Sequence, residues 1–235
     1  MILLPYTDGE HKGCEKAPEE VVKQFKQIFS NESGRYIQPP KAQKAELNSI
    51  PQSKFYIGGD HSITYYTVKQ FAKNYSNPAL LVFDAHPDVF QQFDSPTHLD
   101  YLKFLVEEKV VSTNNIVIIG IRNPHPQEIQ YLKEKGITYF TAKGLKWQDT
   151  CDVVMEKLKG KELYISIDMD VLDPAHAPGV YYPEPAGLTT RQLLYFLQRI
   201  RNLNPKAIDI VEINPESDIN NITSKTAAKL LAEFL

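Results

Sequence analysis

ALLVFDAHPD at positions 79–88 and LYISIDMDVLDP at 163–174 are the stretches whose reading decides the fold. Each opens on an apolar run and breaks at its carboxyl end into spaced polar groups: Asp84-x-His86-x-Asp88 in the first, Asp168-x-Asp170 in the second. Near-continuous Val, Ile, Leu and Phe is the pattern of a strand buried on both faces, as in a parallel sheet. Five more runs share it: Ile2–Leu4, Phe55–Ile57, Ile116–Ile119, Ile137–Phe140 and Ala207–Ile213. Between the seven lie amphipathic stretches at 18–29, 63–75, 97–108, 126–135, 151–159, 190–203 and 222–234. Leu193, Leu197 and Ile200 in the sixth recur at i, i+4, i+7 and place one apolar stripe against a sheet. Ser95-Pro96 reads as a helix cap followed by proline in the first turn. Strands and helices alternating through short links predict a mainly parallel, doubly wound sheet with helices on both faces, a three-layer α/β/α fold. Residues 36–53 are the least patterned and are expected to be irregular.

Composition bounds the function. The 235 residues are 42% hydrophobic, enough for a substantial core, with no repeat or composition break, so 1–235 reads as one domain. The formal net charge of −3 and the absence of a clustered basic segment argue against nucleic acid as partner. No apolar run approaches the ~20 residues of a membrane span. Met1–Pro5 has no basic region before it and is too short for a signal-peptide core, so a cytoplasmic location is expected. Two cysteines, Cys14 and Cys151, make no disulfide framework and no Cys-x-x-Cys zinc motif.

In open parallel sheets, ligands bind beyond the carboxyl ends of the strands. The polar clusters of this chain follow its apolar runs: Gly58-Gly-Asp-His-Ser62 after the second, then the two motifs quoted above, then Glu212-Ile-Asn-Pro215. Spacing by two on an extended segment keeps side chains on one face. His61, Asp84, His86, Asp88, Asp168 and Asp170 together would crowd carboxylates that repel one another unless cations sit among them. Carboxylates with two imidazoles and no thiolate suit a hard or borderline ion such as Mn²⁺. Six ligands for two ions require bridging, which gives ions ~3.5–4 Å apart. Taken singly, an Asp-x-Asp after a strand is more often a turn or a helix cap; it is the combination that speaks for metal. On these residues alone a two-metal hydrolase is the reading, with phosphoesters an open substrate class. The lack of a glycine-rich phosphate loop counts against the latter.

The same stretches, GGDHS at 58–62, DAHPD at 84–88, SIDMDVLDPAHAPG at 166–179, PEPAGLT at 183–189 and DIVEINP at 209–215, resemble in order and spacing the ureohydrolases, the arginase and agmatinase family. Gly13–Pro18 resembles that family's early Gly/Pro signature. The resemblance covers most of the chain and implies an arginase-like fold with two Mn²⁺ per chain. It implies His61, Asp84, Asp88 and Asp168 on one ion and Asp84, His86, Asp168 and Asp170 on the other, with Asp84 and Asp168 bridging. A metal-bridging hydroxide would attack a guanidinium carbon, giving urea and an amine. Glu212 corresponds to the carboxylate that receives the guanidinium, whose planar N–H fork a carboxylate matches. His98 corresponds to a histidine that shuttles protons to the leaving amine. A homo-oligomer, trimer or hexamer, is implied by the resemblance alone.

The departures concern the substrate. Asn123 and His125 stand where arginases carry acids for the α-ammonium group, and Val89-Phe90 stand where a polar residue faces the substrate carboxylate. Tyr181-Tyr182 replace a smaller turn near the guanidinium pocket. Asp173-Pro174 is expected to shape a turn rather than bind metal. Agmatine, a small-molecule guanidino substrate without an amino-acid end, is therefore favoured. The alternatives are arginase, guanidinobutyrase or formimidoylglutamase activity, or a metal-binding family member without turnover. The intact ligand set speaks against that last alternative.

Overall fold

In the computed structural model, which describes residues 1–90 and 93–235, the seven apolar runs each become a strand and pair in one sheet. The strands are β1 (Ile2–Leu4), β2 (Gln43–Lys44), β3 (Phe55–Gly58), β4 (Pro78–Phe83), β5 (Ile116–Ile121), β6 (Thr138–Thr141), β7 (Glu162–Asp168) and β8 (Ala207–Val211). Their order is β2-β1-β3-β8-β7-β4-β5-β6, and every pair is parallel. The strand not read from sequence is β2. Exposed, polar and two residues long, it carries no apolar signal and adds to the sheet only through the main chain of β1.

Among the described residues seven α-helices cover the faces: α1 (Ala17–Phe25), α2 (Ile63–Ala72), α3 (Tyr101–Glu107), α4 (Pro126–Lys135), α5 (Trp147–Leu158), α6 (Thr190–Ile200) and α7 (Ile222–Ala232). Side-chain alternation along each strand splits the core in two. Ala79, Leu81 and Phe83 of β4 join the core under α1, α5, α6 and α7. Leu80 and Val82 join the one under α2, α3 and α4. The result is three layers, helix, sheet and helix.

Two helices start four residues away from expectation for identifiable reasons, and α1 and α2 end earlier than expected, at Phe25 and Ala72. Ser95-Pro96 does not start α3. Instead the Asp100 carboxylate accepts the N–H and hydroxyl of Thr97 and the N–H of Phe93, which ties up a turn and delays the helix to Tyr101. Helix α5 starts four residues early, at Trp147, whose ring packs edge-on to Tyr195 of α6 at 4.7 Å.

Candidate active site

The central strands β3, β8, β7 and β4 end at one edge of the sheet, and each is followed by polar residues. The turn after β3 fixes a second element there. A β-carbon on Gly59 would lie 2.0 Å from the Tyr6 carbonyl oxygen, so glycine is required for the loop after β1 to rest on this turn. Asp60 clamps the contact, accepting the N–H of Ser62 at 3.0 Å and that of Asp8 at 2.5 Å. Burial, with the negative charges of Glu212 and Asp8, pushes the Asp60 carboxyl up to about 7.

His61 follows, 1% exposed, with Nδ1 3.1 Å from Asp84 Oδ2, 3.0 Å from Asp88 Oδ2 and 3.2 Å from Asp168 Oδ2. Despite these three neighbours Nδ1 makes no hydrogen bond. Its tautomer follows from the other nitrogen. Ser166 donates its hydroxyl to Asp209 at 2.6 Å, so its oxygen accepts from His61 Nε2 at 2.9 Å, and Nδ1 is left with a lone pair. Ligand atoms at right angles around an ion with bonds of about 2.1 Å stand about 3.0 Å apart. The spacing around Nδ1 is of that kind.

A second group stands beside the first. His86 Nδ1 lies 2.9 Å from Asp170 Oδ2 and 3.6 Å from Asp84 Oδ1, so the two oxygens of Asp84 approach different histidines. Asp168 turns Oδ2 to His61 and accepts the N–H of Asp170 on Oδ1 at 2.8 Å. The structure thus brings all six expected metal-ligating residues together. Asp84-His86-Asp170 and His61-Asp84-Asp88 are each close enough for one ion. Their electrostatics call for cations. Burial and the charge of Asp84 push Asp88 well above the carboxylate range, and burial with Asp170 and Asp84 does the same to Asp168. Asp84 is held below that range, the proximity of the His61 and His86 imidazoles outweighing burial. Such carboxylates stay ionised together only if positive charge is added. The donors are oxygen and imidazole nitrogen, which fits Mn²⁺.

Two of these candidate positions have strained backbones. Asp88 has φ 51° and Glu212 φ 65°, left-handed conformations that a carboxylate residue adopts only where its surroundings hold it. Glu212 is 5% exposed, and Oε1 accepts the backbone N–H of His61 at 2.7 Å. His98, in the turn before α3, is 5% exposed and bonds Asp8 Oδ2 through Nδ1 at 2.5 Å. Burial opposes its charge, but Asp8 and the Glu212 charge outweigh that and push His98 up to about 9.

These groups line a cavity of about 260 Å³. Asn123 reaches its wall and donates to Glu184 at 2.5 Å. His125 does not line it. This side chain caps α4, accepting the N–H of Gln127, and packs against the ring of Phe90. Val89 is buried in the core, and neither it nor Phe90 lines the cavity. Of the two tyrosines expected near the pocket Tyr182 lines it and Tyr181 does not, and Leu99 and Glu184 line it as well. Sequence reading missed His11 and Glu10, from the loop after β1. The histidine count held the available signal, since four of six, His11, His61, His86 and His98, meet in this cavity.

The model of the Arginase family matches residues 7–235. The chain belongs to the arginase family. Over 186 residues this family member is 35% identical to the proclavaminate amidinohydrolase of Streptomyces clavuligerus, covering 76% of this chain and 59% of that protein. Over 181 residues it is 31% identical to the agmatinase of Bacillus subtilis (strain 168), covering 76% and 61%. The chain thus spans about three-fifths of the length of the curated relatives it matches. The crystal structure of formimidoylglutamase from Bacillus subtilis superposes with a TM-score of 0.86 at 26% identity, covering 99% of this chain and 84% of that one. Their names carry different substrates, so membership of the arginase family leaves the choice of substrate to the pocket. No helix among the described residues is long and apolar enough to cross a membrane.

Proposed function

We propose that this arginase-family chain is a Mn²⁺-dependent amidinohydrolase that splits a guanidino compound, agmatine above all, into urea and an amine. The observation that carries the choice of agmatine is the charge of the cavity wall. Glu10, Glu184 and Glu212 line it, and among the described residues no lysine or arginine does. Arg122 is committed elsewhere, its guanidinium donating to the main-chain carbonyls of Asp170, Val171 and Glu184. An amino-acid carboxylate in this cavity would face these glutamates with no lysine or arginine to pair with, and an unmatched buried charge costs several kcal/mol. Agmatine is cationic at both ends and fits an acidic wall.

In the reaction, Glu212 binds the guanidinium and turns its carbon towards the two ligand groups. His61, Asp84, Asp88 and Asp168 would hold one ion and Asp84, His86, Asp168 and Asp170 the other. Two divalent ions bound there lower the pKa of water enough to supply a nucleophile at neutral pH. His98, charged at neutral pH and oriented by Asp8, holds a proton for the departing amine.

Urea release by Mn²⁺-loaded protein is the test. Agmatine is expected to exceed arginine in kcat/KM by at least ~10-fold, about 1.4 kcal/mol of transition-state discrimination. A preference for arginine overturns the pocket reading, and no urea from any guanidino compound overturns the activity.

A further inference from the structure

His11 has no part in the reaction just described, yet it is 2% exposed inside the cavity wall. Its Nδ1 lies 2.7 Å from Glu212 Oε2, while Nε2 is buried without any hydrogen-bond partner. A proton on Nε2 would be buried without an acceptor. The surroundings therefore satisfy the neutral ring with its proton on Nδ1, donating to Glu212. Three other rings hold this imidazole in place. Tyr181 stacks on it at 4.2 Å and 15°, His98 lies at 3.7 Å, and Tyr182 meets it edge-on at 5.2 Å.

Seen from Glu212, both carboxylate oxygens are tied, Oε1 by the His61 N–H and Oε2 by His11. The backbone beneath is tied too, since the Glu212 N–H donates to the Gly59 carbonyl at 2.8 Å. A guanidinium is recognised through two parallel N–H···O bonds, which requires the carboxylate plane to be set in advance. Without His11, Oε2 loses its side-chain donor and the carboxylate is free to turn. A neutral donor does this without placing a second cation beside the substrate.

We propose that His11 is a positioning residue: its Nδ1–H sets the plane of Glu212 for the guanidinium and so governs substrate binding rather than the chemical step. This rests on the guanidino-hydrolase reading, and the test separates the two. Agmatine binding is measured by calorimetry on metal-chelated protein, where turnover is silent, and KM and kcat by urea release with Mn²⁺. His11→Ala is expected to raise both Kd and KM ~10-fold or more while kcat stays within ~3-fold, the range of a lost hydrogen bond to a charged group. His11→Asn, whose amide can donate from near the Nδ1 position, is expected to restore most of the affinity and carries the test should the alanine variant not fold. In a Glu212→Gln background, His11→Ala is expected to change Kd less than ~2-fold, because the group it acts through is gone. An unchanged Kd in His11→Ala, including no binding in either protein, overturns the proposal. So does failure of asparagine to restore binding, or an undiminished effect in the Glu212→Gln background. His11-dependent agmatine binding without urea release overturns only the hydrolase reading.

Discussion

Replacing Asp84 by Asn is expected to abolish the stabilisation that Mn²⁺ confers on this protein, whereas His61→Ala removes only part of it. The reason is geometric. Asp84 Oδ2 stands 3.1 Å from His61 Nδ1 and Oδ1 stands 3.6 Å from His86 Nδ1, so this carboxylate serves both ligand groups while His61 serves one. An ion at 100 times its Kd stabilises the fold by about 2.7 kcal/mol, and for a chain of this size each 1 kcal/mol moves Tm by about 2–4 °C. Two ions therefore raise Tm by roughly 11–22 °C over the chelated protein, and one ion by roughly half that. Each variant also carries its own defect, since Asp84 and His61 are both 1% exposed. Comparing Tm with MnCl₂ and with EDTA for the same variant cancels that defect. Calorimetric Tm, with metal content by elemental analysis, is the assay. Asp84→Asn retaining two ions, or losing no more of the Mn²⁺ increment than His61→Ala, refutes the shared-ligand geometry.

Two further expectations follow from the same cavity. Glu212→Gln removes the charge that faces the guanidinium and is expected to lower kcat/KM for agmatine ~30- to 1000-fold, about 2–4 kcal/mol, chiefly through KM; steady-state urea release with an unchanged KM would sink the assignment. For Asp8→Asn the sign comes from His98, whose folded pKa of about 9 lies above its ordinary 6.5. The Asp8–His98 pair stabilises fully below about pH 6.5 and loses its effect as pH rises through 9. Denaturant unfolding should therefore show Asp8→Asn less stable than wild type at pH 6 by up to about 3 kcal/mol, with the gap closing near pH 10. Equal gaps at the two pH values would contradict it.

The amino-acid sequence by itself determined the buried strands and the candidate ligand groups. Every buried strand was legible because β4 and β7 are apolar on both faces, and each motif was legible because the polar residues begin where the apolar run stops. Asp84, His86 and Asp88 lie within five residues of one another, as do Asp168 and Asp170, so the motifs were legible. Asp88, however, is left-handed at φ 51° and Asp170 sits in a 3-10 turn, so their presentation is not that of an extended segment. Tertiary structure alone decided what closes the pocket. His11 meets Glu212 across 201 positions and Asp8 meets His98 across 90, contacts that no local periodicity encodes. They exist because Gly59 lets the loop after β1 lie against the turn after β3, a steric permission visible only once both segments are in place. The same distinction accounts for His125 and Phe90. In sequence they stand beside the substrate positions, but the start of α4 takes the imidazole as its cap and the phenyl ring packs on it, away from the cavity. A side chain's neighbours in sequence set its backbone, whereas its partners are set by which strand ends the sheet order β3-β8-β7-β4 brings to one edge.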